Sequence, residues 1–404
     1  MSSVRAHGDI DGSKAWFRLA IATLIASIGN VGMWSYSIVL PAVQQDFGLT
    51  RGDASVPYTV TMLCFAAGAI FMGRLADRYN ITLPVAIAAG ALGLGFALCA
   101  TLRNFPLFII CHGVFLGFFG VSALFAPLMA DISHWFERRR GVAVTVCAAG
   151  NYIAGAVWSP VLQRLIEHVG WREAYLIVGI ICVVTILPLT WFLRGRTPTT
   201  HSQRAAAATP QGVSGFSPNA LQGLICIAGV ACCVAMSMPQ VHIVAYCGDL
   251  GYGPAAGADM LALMLIFGMV SRVASGFVAD RVGGLVTLLI GSVAQGAALL
   301  LYFLFDGLTS LYVISALFGL FQGGIVPSYA LIIREYFPAQ QAATRVAIAV
   351  SATIVGMALG GWLSGLIFDA TGSYRAAFAN GIAWNLLNVS LALWLLMPKW
   401  RTAT

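Results

Sequence analysis

Long apolar runs recur along the whole chain, and they restrict its fold more than any other feature. Each run has roughly 20 residues, enough for a helix to cross a hydrocarbon core of about 30 Å. Hydrophobic residues make up 59% of the 404 residues and charged residues 9%, which excludes an ordinary soluble domain. The runs show no strand-like alternation, so a β-barrel is excluded as well. The sequence predicts an all-α membrane protein with twelve transmembrane helices, near residues 15–45, 54–78, 82–102, 105–133, 140–168, 172–193, 218–247, 254–280, 283–304, 309–335, 342–369 and 374–397.

The basic residues are distributed unevenly over the predicted loops. If the N-terminus is cytoplasmic, the inner segments hold sixteen of the 22 Lys and Arg residues, Arg18 among them. The positive-inside rule then predicts a multi-pass protein of the cell (inner) membrane with both termini in the cytoplasm. The net charge of +7 reflects this topology and gives no reason to expect a nucleic-acid partner. The outer loops keep Arg51, Arg103, Arg164, Arg172 and Arg375.

A polar stretch, residues 195–217, separates the sixth predicted helix from the seventh. It is rich in Pro, Ser, Thr and Ala and has no helical periodicity, which is typical of a flexible linker. Its position predicts an N-terminal half, residues 1–194, a cytoplasmic linker and a C-terminal half, residues 218–404.

The two halves repeat each other in sequence. "GRLADRYN" at 73–80 returns as "GFVADRVG" at 276–283, which is 203 residues later. "GWREAY" at 170–175 returns as "SYRAAF" at 373–378 with the same offset. A shared offset indicates two six-helix pseudo-repeats, the layout of transporters that rock around a central site.

Arg272 is the basic residue that the sequence leaves inside a predicted span, within "MVSRVASGFVADRVGG". It lies eight residues before Asp280, about 12 Å along a helix and therefore near the bilayer midplane. A central arginine costs at least about 2.5–3.5 kcal/mol, so it calls for a watery cavity and an anionic partner. The acids near the predicted helices fall in loops or at helix ends, which predicts that Arg272 holds a substrate carboxylate through two parallel hydrogen bonds. The alternative is an arginine bonded to backbone carbonyls of broken helices.

Other polar residues fall inside the predicted spans. Asn30 on the first helix, and Asn151 and Tyr152 on the fifth, lie about halfway through and are candidate substrate contacts. Asparagine between membrane helices also serves as packing glue, and that interpretation stays open. His242, near the outer end of the seventh helix, is a candidate substrate contact and also a candidate proton carrier, because the unperturbed pKa of histidine is about 6.5. A hydrogen-bonded structural histidine is the alternative, and His112 on the fourth helix has the same two interpretations.

The segment "GRLADRYN" resembles the signature that follows the second helix in major facilitator superfamily transporters, and the resemblance covers essentially the full chain. Gly73, Asp77 and Arg78 match this signature. The resemblance implies that the glycine allows close helix approach. It also implies a charge latch at the cytoplasmic face, formed by these charges together with Asp280 and Arg281 of the second repeat. Anchoring at the membrane interface is the alternative role for these charged residues.

Three further segments resemble the monocarboxylate transporter family and its bacterial relatives, including oxalate/formate exchangers. They are "WFERRRGVAVTVCAAG" at 135–150, "HIVAYCGDLGYGPAAGADML" from His242 and "YSIVLPAVQQDFGLTRGDAS" from Tyr36. "SRVASG" is similar to the helix-eight segment whose arginine holds a substrate carboxylate in that family, which implies this role for Arg272.

Two more candidate substrate contacts come from family position, Tyr36 and Phe125. Phe125 stands where relatives often have tyrosine, which implies a different selectivity. Gly268 stands where the proton-coupled mammalian members have an aspartate, so the resemblance does not carry over their proton mechanism.

The leading interpretation of the sequence is a secondary transporter of a small organic anion, a monocarboxylate, with proton coupling left open. The same architecture is compatible with a larger planar substrate such as riboflavin or an aromatic acid, or with drug export. A membrane sensor that does not transport is the interpretation from another class. The spans contain no nucleotide-binding loop, metal cluster or paired acids, so the sequence predicts neither an enzyme nor a cofactor or metal site. The expected partners are the carboxylate substrate, the lipid bilayer and, if transport is coupled, protons.

Overall fold

Twelve helical spans make up the computed structural model, which describes residues 10–195 and 217–397. The predicted all-α membrane fold is confirmed, because every regular element within those ranges is a helix. The largest boundary difference is three residues, at the second helix, which was predicted from 54 and begins at Arg51. The predicted linker, apart from its two end residues, lies outside the described residues and stays a prediction. In chain order the spans are α1 Ser13–Phe47, α2 Arg51–Tyr79, α3 Thr82–Thr101, α4 Phe105–Ser133, α5 Arg140–Val169, α6 Trp171–Leu193, α7 Pro218–Asp249, α8 Pro254–Val282, α9 Gly284–Leu304, α10 Leu308–Tyr336, α11 Thr344–Thr371 and α12 Tyr374–Leu396.

Contacts divide the chain into two compact units. The first comprises Met1–Gly48 and Val56–Gln203, and the second comprises Leu49–Ser55 and Arg204–Thr404. The first turn of α2 therefore belongs to the second unit, whereas the rest of α2 belongs to the first. The sequence did not indicate this division of α2.

The same three helix pairings build each unit. In the first unit α1 packs on α5, α3 on α6, and α2 on α4; in the second, α7 packs on α11, α9 on α12, and α8 on α10. Glycine makes two of these pairings possible, because a side chain at Gly68 would collide with the Phe118 carbonyl, and one at Gly319 with the Met264 carbonyl. The repeated pairings are the structural counterpart of the sequence repeat.

Buried aromatic pairs occupy equivalent places in the two cores. Tyr175 of α6 meets Phe96 of α3 edge to face, with ring centroids 5.0 Å apart. Phe378 of α12 stacks on Tyr302 of α9 at 5.1 Å. Tyr175 and Phe378 are the last residues of the repeated "GWREAY" and "SYRAAF" segments. Each repeat therefore directs an aromatic ring into the core of its own unit, where large rings contribute much of the apolar burial.

Three spans are interrupted near their middle: α1 at Asn30, α4 between His112 and Phe125, and α10 at Gly323 and Gly324. In α4 the backbone widens to a π-helix and then tightens to a 3₁₀ turn. Interruptions of this kind free backbone carbonyls within a span, so they mark where polar groups can bind.

A proline follows two of these interruptions. Pro127 lies shortly after the break in α4, and Pro327 shortly after the break in α10. Proline has no backbone N–H, and its ring clashes with the carbonyl four residues earlier, so the regular helix can resume only around it. The fourth helix of each half therefore has a proline at the point where the regular helix resumes.

The repeated "GRLADRYN" and "GFVADRVG" segments end α2 and α8 in the same way. The residues that follow these helices, Asn80 and Gly283, both have a positive φ, 84° and 82°. Glycine takes this conformation without strain, and asparagine tolerates it better than most residues. The Asn80 side-chain oxygen accepts a hydrogen bond from the Ile81 amide at 2.6 Å. Asn80 is thus a conformational substitute for the glycine of the second repeat.

Candidate functional site

Arg272 lies on α8, ten residues before Val282, or about 15 Å along the helix from that end. Its side chain is half-buried, and its carbonyl accepts a hydrogen bond from Ser275 Oγ at 3.1 Å. The preceding residue, Ser271, is buried against Gly323, because a Cβ at Gly323 would lie 2.8 Å from Ser271 Cβ. Arg272 therefore follows directly after the point where α8 contacts the break in α10.

Two buried glutamines, Gln240 of α7 and Gln322 of α10, lie at the same break. Gln240 Nε2 donates to Gln322 Oε1 at 3.0 Å, and both side chains are almost fully buried. Within the described residues, Gln240 Oε1 and Gln322 Nε2 have no hydrogen-bond partner. Flipping both amides would leave the same inventory, one acceptor and one donor. This pair is not among the site residues predicted from the sequence, although a glutamine inside an apolar run is a visible signal.

Asn30 and Asn151 meet in the core of the first unit. Asn151 Nδ2 donates to Asn30 Oδ1 at 3.3 Å, and Asn30 Nδ2 donates to the Ala26 carbonyl at 2.8 Å and to the Leu124 carbonyl at 3.4 Å. Trp34 Nε1 donates to the Asn151 carbonyl at 3.0 Å. These bonds join α1, α5 and the broken part of α4, so both asparagines serve at least as packing contacts.

Tyr36, Phe125 and Tyr152 all lie in the first unit. Tyr36 is fully buried, with its ring edge to face against His112 at 5.0 Å. Phe125 stands at the break of α4 and is half-buried, with its ring 6.3 Å from that of Phe65. Tyr152 is largely buried on α5. Their roles as substrate contacts stay predictions.

His112 is fully buried among neutral groups. Thr61 Oγ1 donates to the Pro57 carbonyl at 2.7 Å, so its 2.7 Å contact with His112 Nδ1 requires Nδ1 to be the donor. The other ring nitrogen, Nε2, then accepts from the Tyr175 hydroxyl at 3.5 Å. Neutral His112 is thus bonded at both nitrogens, which favours the structural interpretation.

His242 is also fully buried, but its surroundings are charged. Its Nε2 lies 2.7 Å from the Gly361 carbonyl, and its Nδ1 lies 3.1 Å from the Tyr374 hydroxyl. Arg51 Nη1 donates to that hydroxyl at 2.8 Å, and Arg51 Nη2 donates to Asp249 at 3.1 Å. A continuous chain of hydrogen bonds therefore connects His242 to an ion pair within the second unit.

The predicted latch residues lie at the ends of their helices. Asp77 and Arg78 end α2, Asp280 and Arg281 end α8, and all four side chains are exposed. A Cβ added at Gly73 would meet none of the described atoms within 4 Å, so the close helix approach expected there is absent. The exposure suits both the latch and the anchoring interpretation.

Arg18, which the charge pattern counts among the inner basic residues, is buried in the first unit. It lies within α1, is 3% exposed, and forms a two-pronged pair with Asp131 of α4, with N–O distances of 2.8 and 3.0 Å. Its remaining nitrogen donates to the Leu193 carbonyl at 3.0 Å. No local pattern indicates this pair, because the partners are 113 residues apart in the chain.

Comparisons with known proteins agree with this architecture. The family model described as Major Facilitator Superfamily matches residues 19–314 and 225–403. Monocarboxylate transporter 13 of Rattus norvegicus is 26% identical over 336 residues, covering 80% of this chain and 74% of that protein. Monocarboxylate transporter 11 of Homo sapiens is 26% identical over 407 residues, covering 92% and 80%. The uncharacterized MFS-type transporter YcxA of Bacillus subtilis is 25% identical, covering 89% and 90%.

Solved structures share the fold. The nucleoside transporter NupG superposes with a TM-score of 0.75 at 12% identity, covering 95% of this chain and 100% of that one. A bacterial homolog of the human lysosomal transporter Spinster, in an inward-facing and occupied conformation, gives 0.71 at 16% identity, covering 96% and 98%. At these identities the likeness concerns the fold alone.

Proposed function

The chain belongs to the Major Facilitator Superfamily, and we propose that it is a secondary transporter that moves a small monocarboxylate across the membrane by alternating access. Relatives named as monocarboxylate transporters, at about a quarter sequence identity over most of the chain, support this substrate class. The proposal leaves proton coupling as a separate question.

The observation that carries the proposal is Arg272, a guanidinium in the interior of a membrane-spanning helix. A charge there is costly, so such residues are rare and usually serve a substrate or ion pathway. A guanidinium stays ionised throughout a transport cycle, and its planar fork matches the two oxygens of a carboxylate. We therefore assign the carboxylate to Arg272.

Polar groups near the α10 break support a second contact with the substrate. Gln240 and Gln322 offer one acceptor and one donor beyond their mutual hydrogen bond. Buried amides with unmet hydrogen bonds favour a polar ligand or water at that place. Asn30, Asn151, Tyr152, Tyr36, Phe125 and His242 remain proposed contacts from sequence position and resemblance.

Substituting Arg272 tests the carboxylate assignment. Arg272→Lys keeps the charge but loses the fork geometry, so affinity for a monocarboxylate should fall at least about tenfold while folding is retained. Affinity is measured by thermal stabilisation of the purified protein with lactate, pyruvate, oxalate, aromatic acids, riboflavin and nucleosides, because ligands that bind the folded state raise its apparent stability. Uptake into reconstituted vesicles separates a transporter from a sensor.

The control variant is Arg375→Lys, since Arg375 is an exposed arginine of the same unit, paired with Asp306 at 3.2 Å. It should leave affinity and uptake unchanged. Full uptake and unchanged affinity in Arg272→Lys would contradict the assignment of the substrate carboxylate to Arg272. Stabilisation by riboflavin or a nucleoside, but by no carboxylate, would reassign the substrate class.

We also propose that both termini and the 195–217 linker are cytoplasmic, which would put the latch residues Asp77, Arg78, Asp280 and Arg281 on that side. Basic residues flanking the spans support this topology. A cysteine introduced by Ser202→Cys should react with a membrane-impermeant reagent only after intact cells are opened. Arg103→Cys, in a predicted outer loop, is the control and should react from outside. Labelling of the linker in intact cells would contradict the proposed cytoplasmic location.

A further inference from the structure

The first turn of α2 is held in the second unit by a cluster of side chains around Arg51, a residue that is not among the proposed substrate contacts. Arg51 is almost fully buried, and its guanidinium also lies over the Phe368 ring, 4.8 Å from the centroid. The backbone amides of Arg51 and Gly52 donate to the two carboxylate oxygens of Asp369 at 2.8 and 2.6 Å. Two independent contacts, one of the side chain and one of the backbone, therefore fix this turn.

The positions of the protons in this cluster follow from the partners. The Gly361 carbonyl can only accept, so His242 Nε2 carries the hydrogen, and in neutral histidine Nδ1 must then accept. Tyr374 consequently donates its hydroxyl proton to His242 Nδ1, and its oxygen accepts from Arg51. Neutral His242 thus orients the Tyr374 hydroxyl so that a lone pair faces Arg51.

Protonation of His242 is incompatible with this arrangement. Nδ1 would become a donor, and the Tyr374 hydroxyl proton would lose its acceptor. Two positive groups, the imidazolium and the Arg51 guanidinium, would then lie within hydrogen-bonding distance of one oxygen. Like charges at such short range disfavour each other, and a buried donor without an acceptor adds a further cost.

The acids of the cluster make no hydrogen bond to the imidazole. Asp369 is bonded to the Arg51 and Gly52 amides, and Asp249 is bonded to the Arg51 guanidinium, whereas both nitrogens of His242 face other groups. α8, which also packs on α7, contributes Gly257 against the Val244 backbone. Among the residues that the structure describes, the titratable or charged groups around this end of α7 include Arg51, Tyr246, Cys247, Asp249, Asp369 and Tyr374.

We propose that His242, Tyr374 and Arg51 form a proton-controlled lock on the first turn of α2: neutral His242 keeps the turn bound to the second unit, and protonated His242 releases it. His242 is completely enclosed, so proton uptake has to accompany opening of the cluster. A proton that binds the open form better than the closed form shifts the population towards the open form. The lock makes His242 a proton-binding site, whichever substrate the protein carries.

Hydrogen exchange at the locked amides tests the proposal without any substrate. Mass spectrometry of the purified protein follows the peptide containing Arg51 and Gly52 at about pH 7.5 and about pH 5.5, each rate being divided by its intrinsic chemical rate. The protection factor of the wild type should fall about tenfold at the lower pH, as expected when His242 has the ordinary histidine pKa of about 6.5 in the open form and binds no proton in the closed form. His242→Gln, which keeps one donor and one acceptor, should keep the amides protected at both values.

Two further variants complete the experiment. His112→Gln is the matched control, because His112 is equally buried but has neutral partners; it should keep the wild-type pH response. Tyr374→Phe removes the link between His242 and Arg51. Protection of the two amides should therefore be lower than in the wild type already at about pH 7.5, without any change of pH. A wild-type protection factor that does not change with pH would overturn the lock. So would the same change in His242→Gln, or full protection in Tyr374→Phe.

Discussion

Within the described ranges, each unit holds one buried arginine that is paired with an aspartate, and the two pairs are built differently. Arg18 in the first unit uses all three of its nitrogens, two on Asp131 and one on the Leu193 carbonyl. Arg51 in the second unit makes one bond to Asp249 and one to a tyrosine hydroxyl, and its Nε has no partner among the described residues. Asp131 is 4% exposed as a side chain, whereas Asp249 is 38% exposed.

This difference separates a structural ion pair from one that can change. A buried pair is stable when its remaining donors and acceptors are also bonded, because the desolvation of both charges must be offset. The Arg18 pair meets that condition, so a second hydrogen-bonded arrangement of Arg18 would be much less stable. The Arg51 cluster leaves a donor unmet and depends on a hydroxyl whose orientation His242 sets. Unsatisfied and shared bonds are thus where a protein can have two states of similar free energy.

The largest effect that this comparison predicts comes from breaking the Arg18 pair. Asp131→Ala leaves a buried guanidinium without its carboxylate, so the free energy of unfolding should fall by about 3–5 kcal/mol. The loss is measured as a lower melting temperature and a lower midpoint in detergent unfolding of the purified protein. Replacing both partners, by Arg18→Met with Asp131→Leu, should restore much of the loss, because no isolated charge remains.

The exposed pair Arg375–Asp306 provides the control, since its side chains are 60% and 52% exposed. Asp306→Ala should change the free energy of unfolding by no more than about 1 kcal/mol. If Asp131→Ala were as mild as Asp306→Ala, the Arg18 pair would not be structural, and the distinction between the two units would fail.

The fold followed from the sequence because its determinants are local. Apolar runs of membrane-spanning length determine where the helices lie. The polar residues between the runs indicate the helix ends to within three residues. Arg272 was equally visible, because a single charge within an apolar run stands out without knowledge of its neighbours. The interruption of α10 also had a local signal, the Gly-Gly pair before Pro327. No local signal indicated that this interruption contacts α8 next to Arg272.

The charged clusters could not be predicted, because their partners are distant in sequence. Arg18 and Asp131 are 113 residues apart, and Arg51 and Tyr374 are 323 residues apart. In the sequence Arg18 and Arg51 each stand near the start of a predicted helix, where a basic residue normally faces the membrane interface. Only the packing of α1 on α4, and of the first turn of α2 on α7 and α12, shows that both side chains are buried.

The smallest effect on the free energy of unfolding is expected for Asp249, the exposed member of the Arg51 cluster. Asp249→Ala removes one exposed partner, but the guanidinium keeps its bond to Tyr374 and its position over the Phe368 ring. Partly exposed ion pairs contribute about 0.2–1 kcal/mol, so the free energy of unfolding should fall by no more than that. The Arg51 and Gly52 amides should stay protected, because their acceptor is Asp369 and not Asp249. Measured on the same preparations as Asp131→Ala, a loss of comparable size would show that the Arg51 pair is as structural as the Arg18 pair. The contrast between a fixed pair and a changeable one would then have to be given up.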